Sequence, residues 1–251
     1  IMFELTDKVI IITGASSGIG RSCAIRCSMQ GAKIALIGRD EKKLRETLSL
    51  LSGDGHHIYL QDITNYIELP ELVSEIREEM GSISGFIHSA GIETVLPLKL
   101  TEPRHFNEAF AVNVISAFEL AKQIIKKKNI NPEGASIIFI ASVMGVVGQP
   151  TKTVYSATKG ALIAGSKSLA LELARNKIRV NCISPGMVKT GMSQALLDKV
   201  TPEALSEIQK AHPLGIGEPE DIADTCVFLL SDSAGWITGT NIIVDGGYTA
   251  Q

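Results

Sequence analysis

Tyr155 and Lys159 stand four residues apart, and Ser142 lies thirteen residues before the tyrosine. Side chains four apart share one face of a helix. A tyrosine hydroxyl ordinarily titrates near 10, too high for ready proton exchange at neutral pH. An ammonium on the same face favours the phenolate and is expected to bring that value down. A serine hydroxyl beside them can hydrogen-bond a substrate oxygen. Tyr-x-x-x-Lys alone is a common accident; what lends it weight is a second segment, Thr13-Gly14-Ala15-Ser16-Ser17-Gly18-Ile19-Gly20. Glycines in such a turn let backbone approach a pyrophosphate, and a following helix offers its N-terminal N–H groups to the phosphates. Read together, the two segments point to hydride transfer between a nicotinamide dinucleotide and an alcohol or ketone.

Such chemistry needs a frame that brings residues 14–20 and 142–159 to one edge. Short apolar runs at Lys8–Thr13, Lys33–Ile37, His57–Leu60, Gly85–His88, Ser136–Ala141, Arg179–Ile183 and Asn241–Val244 read as strands. Helical spacing falls between them, at about 20–30, 41–51, 68–80, 102–128 and 153–175. Strand–helix alternation predicts a parallel sheet covered on both faces. Right-handed connections then make it a doubly wound, seven-stranded α/β fold of the Rossmann type. No linker or repeat divides the chain, so 1–251 is expected to be one domain. The stretch at about 187–213 follows the sixth strand and carries Met192, Leu196, Leu197, Leu205 and Ile208. Placed over the ligand crevice, it is expected to act as a lid.

The glycine turn follows the first strand and opens the first helix, the context a dinucleotide site requires. Gly14, Ser16, Ser17, Gly18, Ile19 and Gly20 are therefore expected around the cofactor. An acidic residue ending the second strand would select NAD through the ribose 2′-OH. Here Gly38 and Arg39 stand at that point, so NADP(H) is expected, held at its 2′-phosphate by Arg39, with Asp40 as an opposing charge. Asp62 and Ile63, ending the third strand, are expected beside the adenine.

Composition excludes other classes. The 251 residues are 45% hydrophobic and 20% charged with a net charge of −3, which leaves no basic footprint for nucleic acid. The longest uncharged run, about 135–149, is too short and too rich in glycine and serine to span a bilayer. Ile1 ahead of Met2 reads as an added residue, and no secretory signal is read, so a cytoplasmic location is expected. Cys23 and Cys27 have helical spacing, but no second Cys or His pair joins them, and Cys182 and Cys226 stand alone. All four read as buried thiols, and no metal site is expected.

At this point the chain resembles the short-chain dehydrogenase/reductase family along essentially its whole length. The matching pieces are Thr13-Gly14-x3-Gly18-x-Gly20, Asp62, Ala90-Gly91, Asn113-Val114, Ser142, Tyr155-x3-Lys159, Ser184-Pro185-Gly186 with Thr190, Thr238-Gly239 and Val244-Asp245-Gly246-Gly247. The resemblance implies that Tyr155 is the general acid in reduction and the base in oxidation. It implies that Ser142 holds the carbonyl, Lys159 binds the nicotinamide ribose, and Asn113 holds a water of the proton relay. Thr190 and the backbone near Val188, with Pro185 and Gly186, would grip the nicotinamide carboxamide. Homotetramers built through the long fourth and fifth helices and the C-terminal strand are common in the family. One departure stands out: where the family usually has Asn before Ala-Gly, this chain has His88-Ser89-Ala90-Gly91. Ser89 is expected to keep a polar contact to the cofactor, and His88 reads as a hydrogen-bonded residue at a strand end.

Within the family the chain looks most like the 3-oxoacyl-carrier-protein reductases, which implies a ketone substrate, thioester-linked, and a role in fatty acid biosynthesis. Val143, Met144, Val146, Val147 and Met192 suggest an apolar substrate side, with Glu93 and Gln149 as polar exceptions. The alternatives are NAD(P)-linked oxidation of a sugar, polyol or steroid alcohol, and a non-catalytic cofactor-sensing protein.

Overall fold

The computed structural model describes residues 3–191, 193–194 and 201–250, with 202–205 as backbone only. Its centre is a seven-stranded parallel sheet in the order β3-β2-β1-β4-β5-β6-β7. The strands are β1 Val9–Thr13, β2 Lys33–Gly38, β3 His57–Leu60, β4 Ile83–His88, β5 Ala135–Ile140, β6 Ile178–Pro185 and β7 Asn241–Val244. The central strands are nearly continuous apolar runs because both of their faces are covered. Successive side chains of β1 show it: Val9 and Ile11 pack into one core, Ile10 and Ile12 into the other. Burying each such side chain contributes roughly 1.5–3 kcal/mol.

The first core lies under α3 (Leu69–Met80), α5 (Ser116–Ile124) and α6 (Thr153–Leu173). The second lies under α1 (Gly18–Met29), α2 (Glu41–Leu48) and a helix late in the chain, Pro219–Leu230. Strand order reverses between β1 and β4, and at such a switch point the carboxyl ends of two strands diverge and leave a crevice. The glycine turn after β1 and residues 89–91 after β4 both open into it.

The helix expected over 102–128 is broken. It forms α4 (Pro103–Phe110), then a π-helical turn at Ala111–Ile115, then α5. Apolar spacing runs unbroken through the turn, so periodicity could not reveal it. Side chains hold it open: Ser116 Oγ donates to the Val112 carbonyl at 2.6 Å, and Asn113 turns inward to a loop. π-turns of this kind cluster at functional sites.

After β6, α7 (Pro202–Lys210) precedes α8, the Pro219–Leu230 helix. Met192, Leu196 and Leu197, expected as apolar lid residues, lie outside the described residues, as does the side chain of Leu205. The four cysteines are buried free thiols, with Cys23 Sγ 3.6 Å from Cys226 Sγ. Among the described residues no helix is long and apolar enough to cross a membrane.

Candidate active site

A cavity of about 1350 Å³ opens at the carboxyl edge of the sheet. Gly14, Ser16, Ser17, Gly18, Ile19, Arg39, Asp62, Ile63, Ser89, Ala90, Gly91, Ser142, Tyr155, Lys159, Pro185, Gly186, Val188 and Thr190 all line it. Among the expected site residues, Gly20 and Asn113 stand just behind the wall.

At the dinucleotide end the wall is mostly backbone. Gly14 has a φ of +66°, and a Cβ there would fall 2.8 Å from the Ala90 nitrogen. Gly20 supports the same turn: a Cβ on it would lie 2.3 Å from the Gly14 carbonyl oxygen. Ser17 is the N-cap of α1, its side chain caps nothing, and no acidic residue sits in the first turn. The α1 N-terminus therefore faces the cavity with unsatisfied N–H groups and a positive dipole end. This cradle fits a pyrophosphate, and Gly14, Ser16, Ser17, Gly18 and Ile19 could hold it.

Arg39 and Asp62 flank the far end. The Arg39 guanidinium is 75% exposed and only 4.0 Å from Asp62, so its donors stay largely free. Asp62 is fixed by Thr64, which donates from its N–H at 2.9 Å and its hydroxyl at 2.7 Å. These bonds hold its carboxyl below the usual range. Asp40, expected to oppose an anion, caps α2 by accepting from the Lys43 N–H at 3.1 Å and keeps Lys43 Nζ at 3.6 Å.

Beneath this end His88 is fully buried. Thr13 Oγ1 lies 3.0 Å from His88 Nδ1 and accepts from the Ala90 N–H at 3.3 Å. Thr13 then donates to Nδ1, and the proton of the ring stays on Nε2. That nitrogen is turned toward the Val112 carbonyl but falls short of good hydrogen-bond geometry. Burial, with Lys159 nearby, pushes the imidazole down to about 3, so it is neutral. Thr13 is thus a bracket between β1 and β4 that neither spacing nor composition could reveal.

Elsewhere along the cavity Ser142, Tyr155 and Lys159 come together. Ser142 follows β5 and caps a short 3-10 turn, its Oγ accepting from the Met144 N–H at 3.1 Å. Tyr155 and Lys159 lie one turn apart on α6, with Lys159 Nζ 5.5 Å from the Tyr155 ring centroid. Lys159 Nζ donates to the Ile140 carbonyl at 2.8 Å. Its burial pulls the ammonium down to about 8, with Cys182 and Glu93 working against the fall. Tyr155 departs from expectation. Burial raises its hydroxyl above the usual value, Glu93 adds to the rise, and a hydrogen bond with Ser142 works against it. The ammonium on the next turn was expected to lower this value, but loss of solvent sets its direction.

Asn113 is buried behind this cluster with both amide hydrogens and one Oδ1 lone pair engaged. Its Oδ1 accepts from the Ile92 N–H at 2.8 Å, and its Nδ2 donates to the Ile92 carbonyl at 2.9 Å and to Thr158 Oγ1 at 3.0 Å. It fixes the first residue of the loop that carries Glu93.

The wall expected to face the substrate carries one charged group beyond those expected. Val143 and Met144 line it; Val146 and Val147 do not. Glu93 and Gln149 are joined by Lys152, whose ammonium pairs directly with Glu93. Lys152 was missed because its partner lies 59 residues away. His212 was missed too: its Nδ1 donates to the Ile208 carbonyl at 2.8 Å, its Nε2 accepts from the Met187 N–H at 3.2 Å, and its ring stacks on Tyr248. Glu207 and Ile208 of α7 complete the wall.

The fold agrees with the comparison to known proteins. A family model described as enoyl-(acyl carrier protein) reductase matches residues 14–249. The chain belongs to the short-chain dehydrogenase/reductase family, whose members are oxidoreductases using a nicotinamide cofactor on alcohol and ketone groups. It is 34% identical to 2-(S)-hydroxypropyl-CoM dehydrogenase 3 of Xanthobacter autotrophicus, over 98% of both chains. It is 35% identical to a glucose 1-dehydrogenase of Gluconobacter oxydans, over 98% of this chain and 93% of that one. It is 31% identical to a 3-oxoacyl-(acyl-carrier-protein) reductase of Thermotoga maritima, over 97% of this chain and 98% of that one.

Proposed function

We propose that this protein interconverts a ketone and a secondary alcohol with NADP(H), using Ser142, Tyr155 and Lys159. The observation that carries this reading is their convergence at one end of a cavity whose other end is the Gly14–Gly20 cradle. With the dinucleotide held by its pyrophosphate in that cradle, its nicotinamide would supply the hydride in reduction and take it up in oxidation. Tyr155 delivers a proton to the substrate oxygen in reduction and removes it in oxidation. Its raised pKa keeps it protonated, which suits the reductive direction. Ser142 hydrogen-bonds the same oxygen and fixes its place. Lys159 holds positive charge beside the phenol and reaches the nicotinamide ribose. The Asn113 side chain is engaged elsewhere, so a relay water at this position would be held by its main-chain carbonyl or by the second lone pair of Oδ1. Arg39 supports NADP(H), because its guanidinium is exposed on the cavity wall while Asp40 is engaged by Lys43 at the start of α2. Thr190 and the backbone at Pro185, Gly186 and Val188 would position the carboxamide, and α7 with Ile208 would close over the substrate as a lid.

Two substrate classes follow from the lining. Val143, Met144 and Ile208, with the 3-oxoacyl reductase relative, support a 3-oxoacyl thioester. Glu93, Gln149 and Lys152, with the glucose dehydrogenase relative, support a sugar or polyol. Initial rates with NADPH and NADH over 3-oxoacyl thioesters of increasing length, ketoses and simple ketones test the whole reading. For a thioester, efficiency should rise with chain length, each buried methylene contributing roughly 0.8 kcal/mol. Failure of every carbonyl compound to oxidise NADPH, with NADPH bound, would contradict the oxidoreductase reading. Exposed Leu171, Trp236 and Ile243 support assembly as a homotetramer through α6 and the edge strand β7; light scattering checks the mass.

A further inference from the structure

Glu93 and Lys152 form an ion pair inside the cavity, with side chains only 19% and 7% exposed. Taking two charges out of water costs several kcal/mol per ion, and well-packed apolar residues usually serve stability as well or better. A site meant only for an aliphatic arm has no use for such a pair. The pair is also held firmly. Asn113 clamps Ile92, the neighbour of Glu93, through both backbone groups. The Leu96 N–H donates to the Thr151 carbonyl at 2.9 Å, stapling the loop of Glu93 to the segment that ends in Lys152. Lys152 is the N-cap of α6, three residues before Tyr155, so the two side chains leave adjacent turns of one face. Glu93 and Lys152 line the same cavity as Tyr155 and Lys159, and the charge of Glu93 is felt at both of the latter.

Each partner keeps unused capacity. An ammonium has three donors and a carboxylate has about four acceptor sites, and the pair consumes one of each. A donor and an acceptor side by side match a hydroxyl, which accepts and donates through one oxygen. A thioester or ketone oxygen only accepts, so it would satisfy Lys152 while setting its lone pairs against those of Glu93.

We infer that Glu93 and Lys152 form a subsite that reads a substrate hydroxyl near the reacting carbon, so that the substrate is a hydroxyketone and its diol, as in sugars and polyols. One helical turn is roughly 5 Å, which places that hydroxyl on the adjacent or next-but-one carbon. The inference rests on the reading of Tyr155 as the proton donor, and it selects the second of the two substrate classes.

The test compares matched pairs: 3-hydroxy-2-butanone against 2-butanone, and a ketose against acetoacetyl thioester, each with NADPH. The parental protein should favour the hydroxylated member by at least about tenfold in kcat/KM, since sites built around a substrate hydroxyl reject analogues lacking it. The double variant Glu93→Leu with Lys152→Met removes both charges at similar volume and strands neither. It should bring the ratio close to one, mainly through KM. If that variant fails to fold, Glu93→Gln keeps the shape and should cut the ratio several-fold. A parental preference for the deoxy ketone or the thioester, or a ratio unmoved in these variants, would overturn the inference. Failure of the underlying reading looks different, because Tyr155→Phe would then turn over either member at the parental rate.

Discussion

At the dinucleotide end of the crevice the protein presents mostly backbone: the Gly14–Gly20 turn, the free N-terminus of α1, and residues 89–91 at the end of β4. At the substrate end it presents side chains from loops far apart in the chain, Glu93 against Lys152 and His212 against Met187 and Tyr248. The first arrangement follows from sheet topology, because any parallel sheet with this strand order aims its strand ends there. The second follows from nothing local. The same difference explains how relatives of similar identity carry names as unlike as a glucose dehydrogenase and a 3-oxoacyl reductase. The backbone-built end is a shared tool, and the loop-built end decides what it acts on.

A substitution that puts a side chain into the backbone-built end should do the most damage. Gly14→Val combines a φ of +66° with a Cβ 2.8 Å from the Ala90 nitrogen. We expect NADPH binding to weaken by about 100-fold or more in a fluorescence titration. The strained backbone should also destabilise the fold by roughly 1–3 kcal/mol. If Gly14→Val bound NADPH as the parent does, the cradle would lie elsewhere.

On the proposed reading, the Arg39 side chain sets the choice of cofactor at the dinucleotide end. A charge-assisted contact to the 2′-phosphate should favour NADPH over NADH by roughly 1.5–3 kcal/mol, about 10- to 100-fold in affinity. Arg39→Asp should invert the order. Equal affinities of the parent for the two cofactors would remove the NADP(H) assignment.

Lys159 sits where the two ends meet. Burial sets its ammonium near 8, so the charged form predominates only below that pH. In the free enzyme kcat/KM should fall about tenfold per unit as pH rises beyond about 8. Lys159→Arg, charged throughout, should flatten that limb even at a lower overall rate. A profile level up to pH 10 would show that the ammonium is not required.

The smallest effect concerns His88, beneath the dinucleotide end. Its folded value of about 3 lies below the ordinary 6.5, so between these values the unfolded chain binds the extra proton. Stability should therefore fall as pH drops from 6.5 toward 3. His88→Asn removes this titration and should narrow the difference in Tm between pH 7 and pH 5 by several degrees. An unchanged difference would assign the acid sensitivity to other groups.

The sheet was legible because its central strands are apolar runs separated by helical spacing, and the cradle because glycines at 14, 18 and 20 follow a strand. Tyr155, Lys159 and Ser142 were legible as types at a spacing. Their electrostatics were not: spacing places Lys159 beside Tyr155, yet burial, which spacing does not report, dominates the phenol. The π-turn at Asn113 escaped because apolar periodicity continues through it. Lys152 escaped because a lysine before a helix looks solvated until Glu93, 59 residues away, is folded against it. Val146 and Val147 were read as pocket residues from composition alone, and the turn after Ser142 carries them out of the wall.

The role of Tyr155 is tested most directly by Tyr155→Phe, which deletes one hydroxyl and leaves the ring in place. NADPH should bind as it does to the parent, while turnover of a ketone that the parent reduces should fall by roughly 100-fold or more. Near-parental turnover in that variant, with NADPH bound, would contradict the assignment of Tyr155 as the residue that moves the proton.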